Sequence, residues 1–578
     1  LDVWHEEAWL PPEQVRAGKV TLALKAWSGV LGVPDRRRFK VAQLHWIDEP
    51  TESFYYLADT LLKAVKVMDE NDLRRVRLLE ALNAAFLRLD FTRPQSEAFY
   101  ESVCAAEKFL WGEVCKWQGV EEIKPTVVGI GHAHIDLAWL WRLRHSREKA
   151  ARTFATALHL MRQYPDYRFM HSSPQLYEYL KHDYPEIFAR VKERIASREW
   201  EITGGMWIES DTNIPNGESL IRQFLLGRQS MRDEFGVEMN LLWLPDVFGY
   251  SYALPQIVKK CGLKYFMTTK MSWNQFNHLP YDTFRWRGVD GTELLTHFVT
   301  TPEENNPRWH TYNGQLRPSD VKGLWDNYQQ KEVNDELLML FGWGDGGGGP
   351  TKEMLEYARA LKNLPGLPRV ALGLAEPYFE RLAQRVADKP LPVWDGELYF
   401  EYHRGTYTSQ AYNKRANRLA EVLYHNAEWL SALAGVLASF NYPAQKLRQG
   451  WELILLNQFH DILPGSSIRS VYEDSQVDYE QIMQIGQSVL AEARQALLNQ
   501  IGVGDESVVV FNSLSWTRDD LIELPGSGAL AAQPSMQRLE NGMALVLVSD
   551  LPALGYRALS LSDFSSRPGS LPAGEGAR

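Results

Sequence analysis

The chain has 578 residues, too many for one ordinary hydrophobic core, so several domains are expected. Hydrophobic residues make up 45% and charged residues 23%, a soluble globular balance, and a formal net charge of −11 argues against a nucleic-acid backbone or an anionic membrane as partner. Three cysteines, Cys104, Cys115 and Cys261, include no CxxC pair and support neither a disulfide framework nor a cysteine-rich zinc site, which suits a reducing, cytoplasmic compartment.

Residues 1–50 read as the tail of an N-terminal β-rich module: "KVTLALKAW" alternates and "RRRFKVAQLHWID" has strand composition. No signal peptide is visible, but the first residue is Leu1 rather than Met, so the chain is expected to be a piece of a longer one. No apolar run reaches the length of a membrane span. Residues 51–122 form a helical linker region, as in "NDLRRVRLLEALNAAFLRLDF", whose apolar positions recur at three and four. Over residues 123–390 short apolar runs ("TVVGIG", "YRFMHS", "EWEITGG", "LLWLPD", "KYFMTTK", "ELLTHFV", "ELLMLFGWGD") alternate with amphipathic helices such as "ESLIRQFLLGRQSMRDEFG". Strand–helix repetition implies parallel βα units, and about seven of them suggest a barrel more than an open sheet. Residues 391–503 carry long helical periods, read as a three-helix bundle. Residues 504–578 return to β patterning in "SVVVFNSLSWTRDDLIELP" and "MALVLVSDLPALGYRALSL", read as the start of a truncated β domain with a loop-like end.

Polar residues recur where these apolar runs end. "GIGHAHIDLAWLWR" places His132, His134 and Asp136 at alternate positions, so in an extended segment they share one face. Glu209 and Asp211 follow the third run, Asp246 the fourth and Asp345 the seventh, in "FGWGDGGGGP". In a parallel α/β barrel this is the end that carries the active site. His134 and Asp136 offer nitrogen and oxygen ligands of the kind a zinc-type cation takes, Asp211 can add a carboxylate, and "NQFHDILPGSS" offers His460 and Asp461. Each has a plainer reading beside it. His132 is favoured as a core or outer histidine, Asp246 can cap a helix, Asp461 can end one, and Trp139 and Trp141 can be core. The "GDGGGG" run lacks the Lys-Ser/Thr of a phosphate-binding loop.

Seven stretches in order, "GHAHIDLAWLW", "GGMWIESDTNIPNGESLIRQ", "WLPDVFGYSYALPQI", "TTKMSWNQFNHLPYDTFRWRG", "GDGGGGP", "HRGTYTSQA" and "NQFHDILPGSS", resemble the glycoside hydrolase family 38 α-mannosidases, most closely the cytosolic and bacterial branch. The resemblance runs from about residue 20 to 520. It implies an α/β fold: a seven-stranded barrel, then a three-helix bundle, then β-sandwich domains. It implies zinc, with cobalt as the alternative, held by His134, Asp136, Asp211 and His460. Asp211 is then also the nucleophile of a retaining, exo-acting hydrolysis of terminal α-linked mannose through a covalent mannosyl-aspartate. Trp139 is implied as the ring stacking on the sugar, Asp345 as the acid/base, and Asp246 and Asp461 as substrate contacts. Golgi-type members carry paired aspartates where this chain has the single Asp345. The implied partner is an α-mannoside oligosaccharide, with no nucleic acid or membrane, and the branch suggests a homo-oligomer. Two rivals stand beside this reading. One is a metal-dependent amidohydrolase-type barrel, using His297 and Asp345 late in the fold. The other is a truncated sugar-binding chain without turnover.

Overall fold

The computed structural model describes residues 10, 12–18, 20, 43–116, 125–504, 507–525 and 537–560. The strand composition read at 19–27 and 36–48 falls outside these residues, except for Val20 and residues 43–48, which form no strand; the loop-like end from 565 also falls outside them. The chain divides into two compact units: Leu1–Asn417 with Leu455–Asp478, and Arg418–Ile454 with Tyr479–Arg578.

In the first unit, helices Glu49–Val67, Leu73–Phe86 and Glu97–Cys115 occupy the linker region. Each begins at a side chain that accepts from a first-turn amide: Asp48 from Thr51, Asp72 from Arg74, Ser96 from Phe99. These caps satisfy amides that have no helical partner. Leu57, Leu61 and Ala64 bury one face of the first helix.

The α/β region follows, with strands β1 (Thr126–His132), β2 (Phe169–His171), β3 (Trp200–Ile202), β4 (Leu241–Trp243), β5 (Tyr265–Thr268), β6 (Thr283–Arg287), β7 (Glu293–Phe298), β8 (Pro302–Glu303), β9 (Asn306–His310), β10 (Glu336–Phe341), β11 (Arg369–Leu372) and β12 (Val393–Asp395). They form two five-stranded sheets and a small hairpin, β8–β9. In the first sheet β1 pairs in parallel with β10, β11 and β2, and β2 with β3. The second runs β12-β6-β7-β5-β4, parallel except for the antiparallel pair β6–β7. A parallel bridge from Gly204 to Leu242 joins the exit of β3 to β4. The seven apolar runs named from sequence all become strands; β6, β8, β9, β11 and β12 are additional.

β1 is buried along almost its whole length, as expected of a strand with parallel neighbours and both faces covered. Gly131 is required there: a Cβ would stand 2.4 Å from the Arg168 carbonyl oxygen and 2.6 Å from the Tyr167 ring. Helix Gly217–Phe235 shows how the connections are punctuated. The Asn216 side chain accepts from the Ser219 amide at its start, and Gly236 at φ 69° ends it in the left-handed region.

Helices Ala411–Ala438, Ala444–Asn457 and Arg469–Ile501 follow. Within the second unit, Leu430, Ala434, Ala493 and Leu497 form a buried cluster. Its β segments are β13 (Ser507–Asn512), β14 (Arg518–Pro525), β15 (Gln537–Arg538), β16 (Met543–Leu551) and β17 (Gly555–Ser560), paired as β13–β17 and β14-β16-β15. Val548, Leu551 and Leu559 bury its core face. Among the described residues no helix is long and apolar enough to cross a membrane.

Candidate active site

The polar residues that follow the strands meet in one buried group within the first unit. His134 and Asp136 lie just past β1, and Nε2 of His134 is 3.0 Å from Oδ1 of Asp136. His460 arrives from the other end of the chain because residues 458–460 are stitched to residues 209–211. The Asp211 amide donates to the Gln458 carbonyl, the His460 amide donates to the Glu209 carbonyl, and Ser210 bridges to Phe459. Nδ1 of His460 lies 2.9 Å from the Glu209 carbonyl oxygen, which turns Nε2 inward. There it faces Asp136 at 3.4 Å, Asp246 at 3.6 Å and Asp461 at 3.7 Å.

Three sets of ligand atoms fall within 4.8 Å of one another: His134, Asp246 and His460; His134, Asp136 and Asp345; Asp136, His460 and Asp461. Asp211 belongs to none of them. Its Oδ1 accepts from the Asn213 amide at 3.0 Å and the Ile214 amide at 2.7 Å. Trp139 is half-buried, 6.0 Å edge-on from Trp141. Trp141 is buried, and its indole N–H donates to the Asp136 carbonyl and to Ser146, so it braces the loop. His132 accepts from the Trp243 indole at 3.3 Å as a hydrogen-bonded core histidine. His297, the residue an amidohydrolase-type site would use, is 2.9 Å from the Thr283 hydroxyl and 3.2 Å from the Tyr378 hydroxyl, outside the three sets.

Burial and like charge separate the carboxylates. Burial raises Asp136, but His134 and His460 outweigh it and hold the group below its ordinary range. Asp345 goes the other way: burial first, then Asp136 and Asp246, push it up to about 6. Its backbone sits at φ 52°, in a loop closed by reciprocal amide–carbonyl bonds between Trp343 and Gly349. Gly342, at φ 130°, permits that loop, since a Cβ there would lie 2.1 Å from the His132 carbonyl oxygen. Burial also raises Asp461, with Asp136 adding to it, to about 7. Asp211 is raised by burial against the pull of its two amides. His460 loses charge through burial but gains more from Asp136 and Asp246, reaching about 10.

Glu209, named at a strand end but given no role, and two residues not foreseen, Tyr312 and Lys270, complete the surroundings. Oε2 of Glu209 is 2.9 Å from Nδ1 of His134, an ionic contact. Its other oxygen accepts from Ser172 at 2.8 Å. The Tyr312 hydroxyl donates to Asp345, and its ring lies 4.9 Å from His134. Lys270, buried, pairs with Asp246 at 2.6 Å. Glu209 and Lys270 both fall in the motif stretches, whereas "HTYNGQ" around Tyr312 carries no local signal.

The donor set fits a divalent cation. It offers imidazole nitrogens and carboxylate oxygens. Nε2 of His460 also has no hydrogen-bond partner among the described residues, although three carboxylates surround it. A parallel α/β region with such a group at its strand exits is the place where α/β enzymes carry their sites. The chain belongs to glycosyl hydrolase family 38: residues 124–397 match the family's N-terminal domain, and residues 401–497 match the alpha mannosidase middle domain. It is 34% identical over 563 residues to Alpha-mannosidase G of Dictyostelium discoideum, covering 92% of this chain and 49% of that one. Alpha-mannosidase 2C1 of Homo sapiens is 38% identical over 499 residues, covering 86% and 45%. The chain thus spans about half the length of the curated relatives it matches. A crystal structure of an alpha-mannosidase from Enterococcus faecalis shares the fold at a TM-score of 0.60, covering 75% of this chain and 56% of that chain, at 17% identity.

Proposed function

We propose that the chain carries the catalytic part of a metal-dependent, retaining α-mannosidase that removes terminal α-linked mannose from oligosaccharides. The observation that carries this reading is the convergence of buried His134, Asp136, His460, Asp246 and Asp461 with the half-buried Asp345 in one group. Family membership supplies the reaction class. The same reading takes the two sheets as arcs of a seven-stranded barrel followed by a three-helix bundle, supported by the Gly204–Leu242 bridge.

His134, Asp136 and His460 would hold the ion, with Asp211 completing the set; the stitching of 209–211 to 458–460 supports this. Bound zinc, or cobalt, supplies a positive charge that favours ionised carboxylates and draws sugar hydroxyl oxygens. The chain's own residues do the rest. Backbone amides fix Oδ1 of Asp211, which orients its carboxylate for attack on the anomeric carbon. As the C1–O bond breaks, Asp345 gives its proton to the departing oxygen and a mannosyl ester forms on Asp211. Asp345, now ionised, takes a proton from water while the water oxygen bonds to C1 and releases Asp211. A group raised to about 6 suits both halves of that cycle. Trp139 offers a face to the sugar's C–H groups, and Asp246 and Asp461 accept from its hydroxyls.

The test is hydrolysis of an aryl α-mannoside by the chain as purified, after chelation, and after adding back Zn2+ or Co2+. Activity lost on chelation and restored by metal supports the reading. Absence of turnover with metal bound, in this chain and in a longer version of it, overturns it.

A further inference from the structure

Lys270 has no place in the mechanism above, yet it is buried beside the site. It opens the short 3₁₀ turn Lys270–Trp273 where β5 ends. Its ammonium stands 2.6 Å from Oδ1 of Asp246, 4.2 Å from the centre of the Trp273 ring and 5.4 Å from that of Phe248. Trp273 is itself pinned. It stacks on Trp309 at 4.7 Å and 13°, and its indole N–H donates to the His310 carbonyl at 2.9 Å. The His310 amide donates to Ser272 at 2.8 Å, so hairpin β8–β9 holds the turn from outside. A lysine in so apolar a cradle is costly without a charged partner, and Asp246 is that partner.

Asp246 therefore has one oxygen held by an ammonium and the other, Oδ2, turned to the cluster 3.6 Å from His460. By distance alone it qualifies as a metal ligand with His134 and His460. Charge argues otherwise. The ammonium already answers this carboxylate's charge, and it would repel a dication brought onto the same group. A neutral sugar hydroxyl suffers no such repulsion and needs only an acceptor fixed in direction.

The geometry points to Lys270 as a positioning residue: clamped on Trp273, it keeps Asp246 off the metal and presents Oδ2 to a hydroxyl of the bound sugar. The inference rests on the α-mannosidase reading, and it makes Lys270 the residue that decides what Asp246 binds.

The experiment compares the chain with K270M, D246N and the K270M/D246N double variant. Chelated protein is titrated with Zn2+ by calorimetry, and kcat and KM are measured on an aryl α-mannoside. In K270M the freed carboxylate is expected to tighten Zn2+ binding about tenfold and to raise KM about tenfold. In D246N the uncovered Lys270 ammonium weakens Zn2+ binding while KM rises. In the double variant the Zn2+ affinity returns to near the starting value and KM is no worse than in D246N, because Lys270 acts through Asp246. A merely structural lysine cannot tighten metal binding. A Zn2+ affinity about tenfold or more below the starting value in the double variant, where no ammonium is left to repel the ion, identifies Asp246 as a ligand and overturns the inference. So does K270M with unchanged Zn2+ affinity and KM. If K270M does not fold, the double variant, which buries no unpaired charge, still decides. If the starting chain binds Zn2+ but hydrolyses nothing, the α-mannosidase reading fails, while the zinc titrations still show whether Lys270 keeps Asp246 from the metal.

Discussion

Oε2 of Glu209 lies 2.9 Å from Nδ1 of His134, while Nε2 of the same ring lies 3.0 Å from Asp136. The imidazole is thus held from behind by one carboxylate and aimed at the centre of the cluster. Outer carboxylates of this kind set ring orientation and basicity at metal sites. Glu209→Gln is expected to weaken Zn2+ binding about 10- to 100-fold with little change in thermal midpoint. Calorimetric titration of chelated protein checks this, and an unchanged affinity would mean that Glu209 only fills space.

Asp211 accepts two backbone amides on one oxygen, and an amide side chain can accept the same pair. Asp211→Asn is therefore expected to fold normally and to lose turnover of an aryl α-mannoside by about 10⁴-fold or more, as removal of a nucleophile does. Turnover within tenfold of the starting chain would remove Asp211 from the nucleophile's role.

Tyr312 acts on the pH dependence. Burial, then Asp136 and Asp246, raise Asp345 to about 6, and the hydrogen bond from Tyr312 opposes them by favouring the ionised form. Tyr312→Phe removes that opposition, so Asp345 holds its proton to higher pH. An acid catalyst works only while protonated, so the alkaline limb of the kcat/KM profile is expected to move upward. A limb that stays in place or moves down contradicts Asp345 as the acid.

Asp282 offers a test of stability away from the cluster. It is buried, accepts the Gln329 amide at 2.8 Å, and burial pushes it up to about 7 from 3.8, with Lys331 opposing. A carboxyl raised in the folded chain contributes fully below its unfolded value, and that contribution is lost as pH rises through the folded value. Stability should thus fall between about pH 4 and pH 7 on account of this group. Asp282→Asn keeps the acceptor without the charge. Its urea midpoint is expected to match the starting chain at about pH 4 and to exceed it at about pH 8, by roughly 1–3 kcal/mol in free energy. Parallel pH curves for the two proteins would falsify the assignment.

Much of this protein is legible in its residues because the relevant information is local. The apolar runs that become β1, β4, β5 and β10 announce themselves by strand length and apolar or aromatic content. Alternation in "HAHID" puts His134 and Asp136 on one side of an extended segment before any fold is known. β6 escaped notice because "DTFRWRG" carries charges at alternate positions and its buried face depends on antiparallel pairing with β7.

Tertiary structure decided the partnerships. No periodicity relates His460 to Asp136; they meet because residues 458–460 hydrogen-bond to residues 209–211. Lys270 reaches Asp246 because β5 lies beside β4 in parallel register, Trp243 opposite Met267, so the two strand exits are neighbours. The amides of Asn213 and Ile214 take one oxygen of Asp211, and burial among other acids raises Asp345. Periods of 2 and 3.6 residues encode which side chains face inward from one element. Which inward-facing groups share a point in space depends on how distant elements cross, and burial there, where charges interact strongly, sets what each group can do.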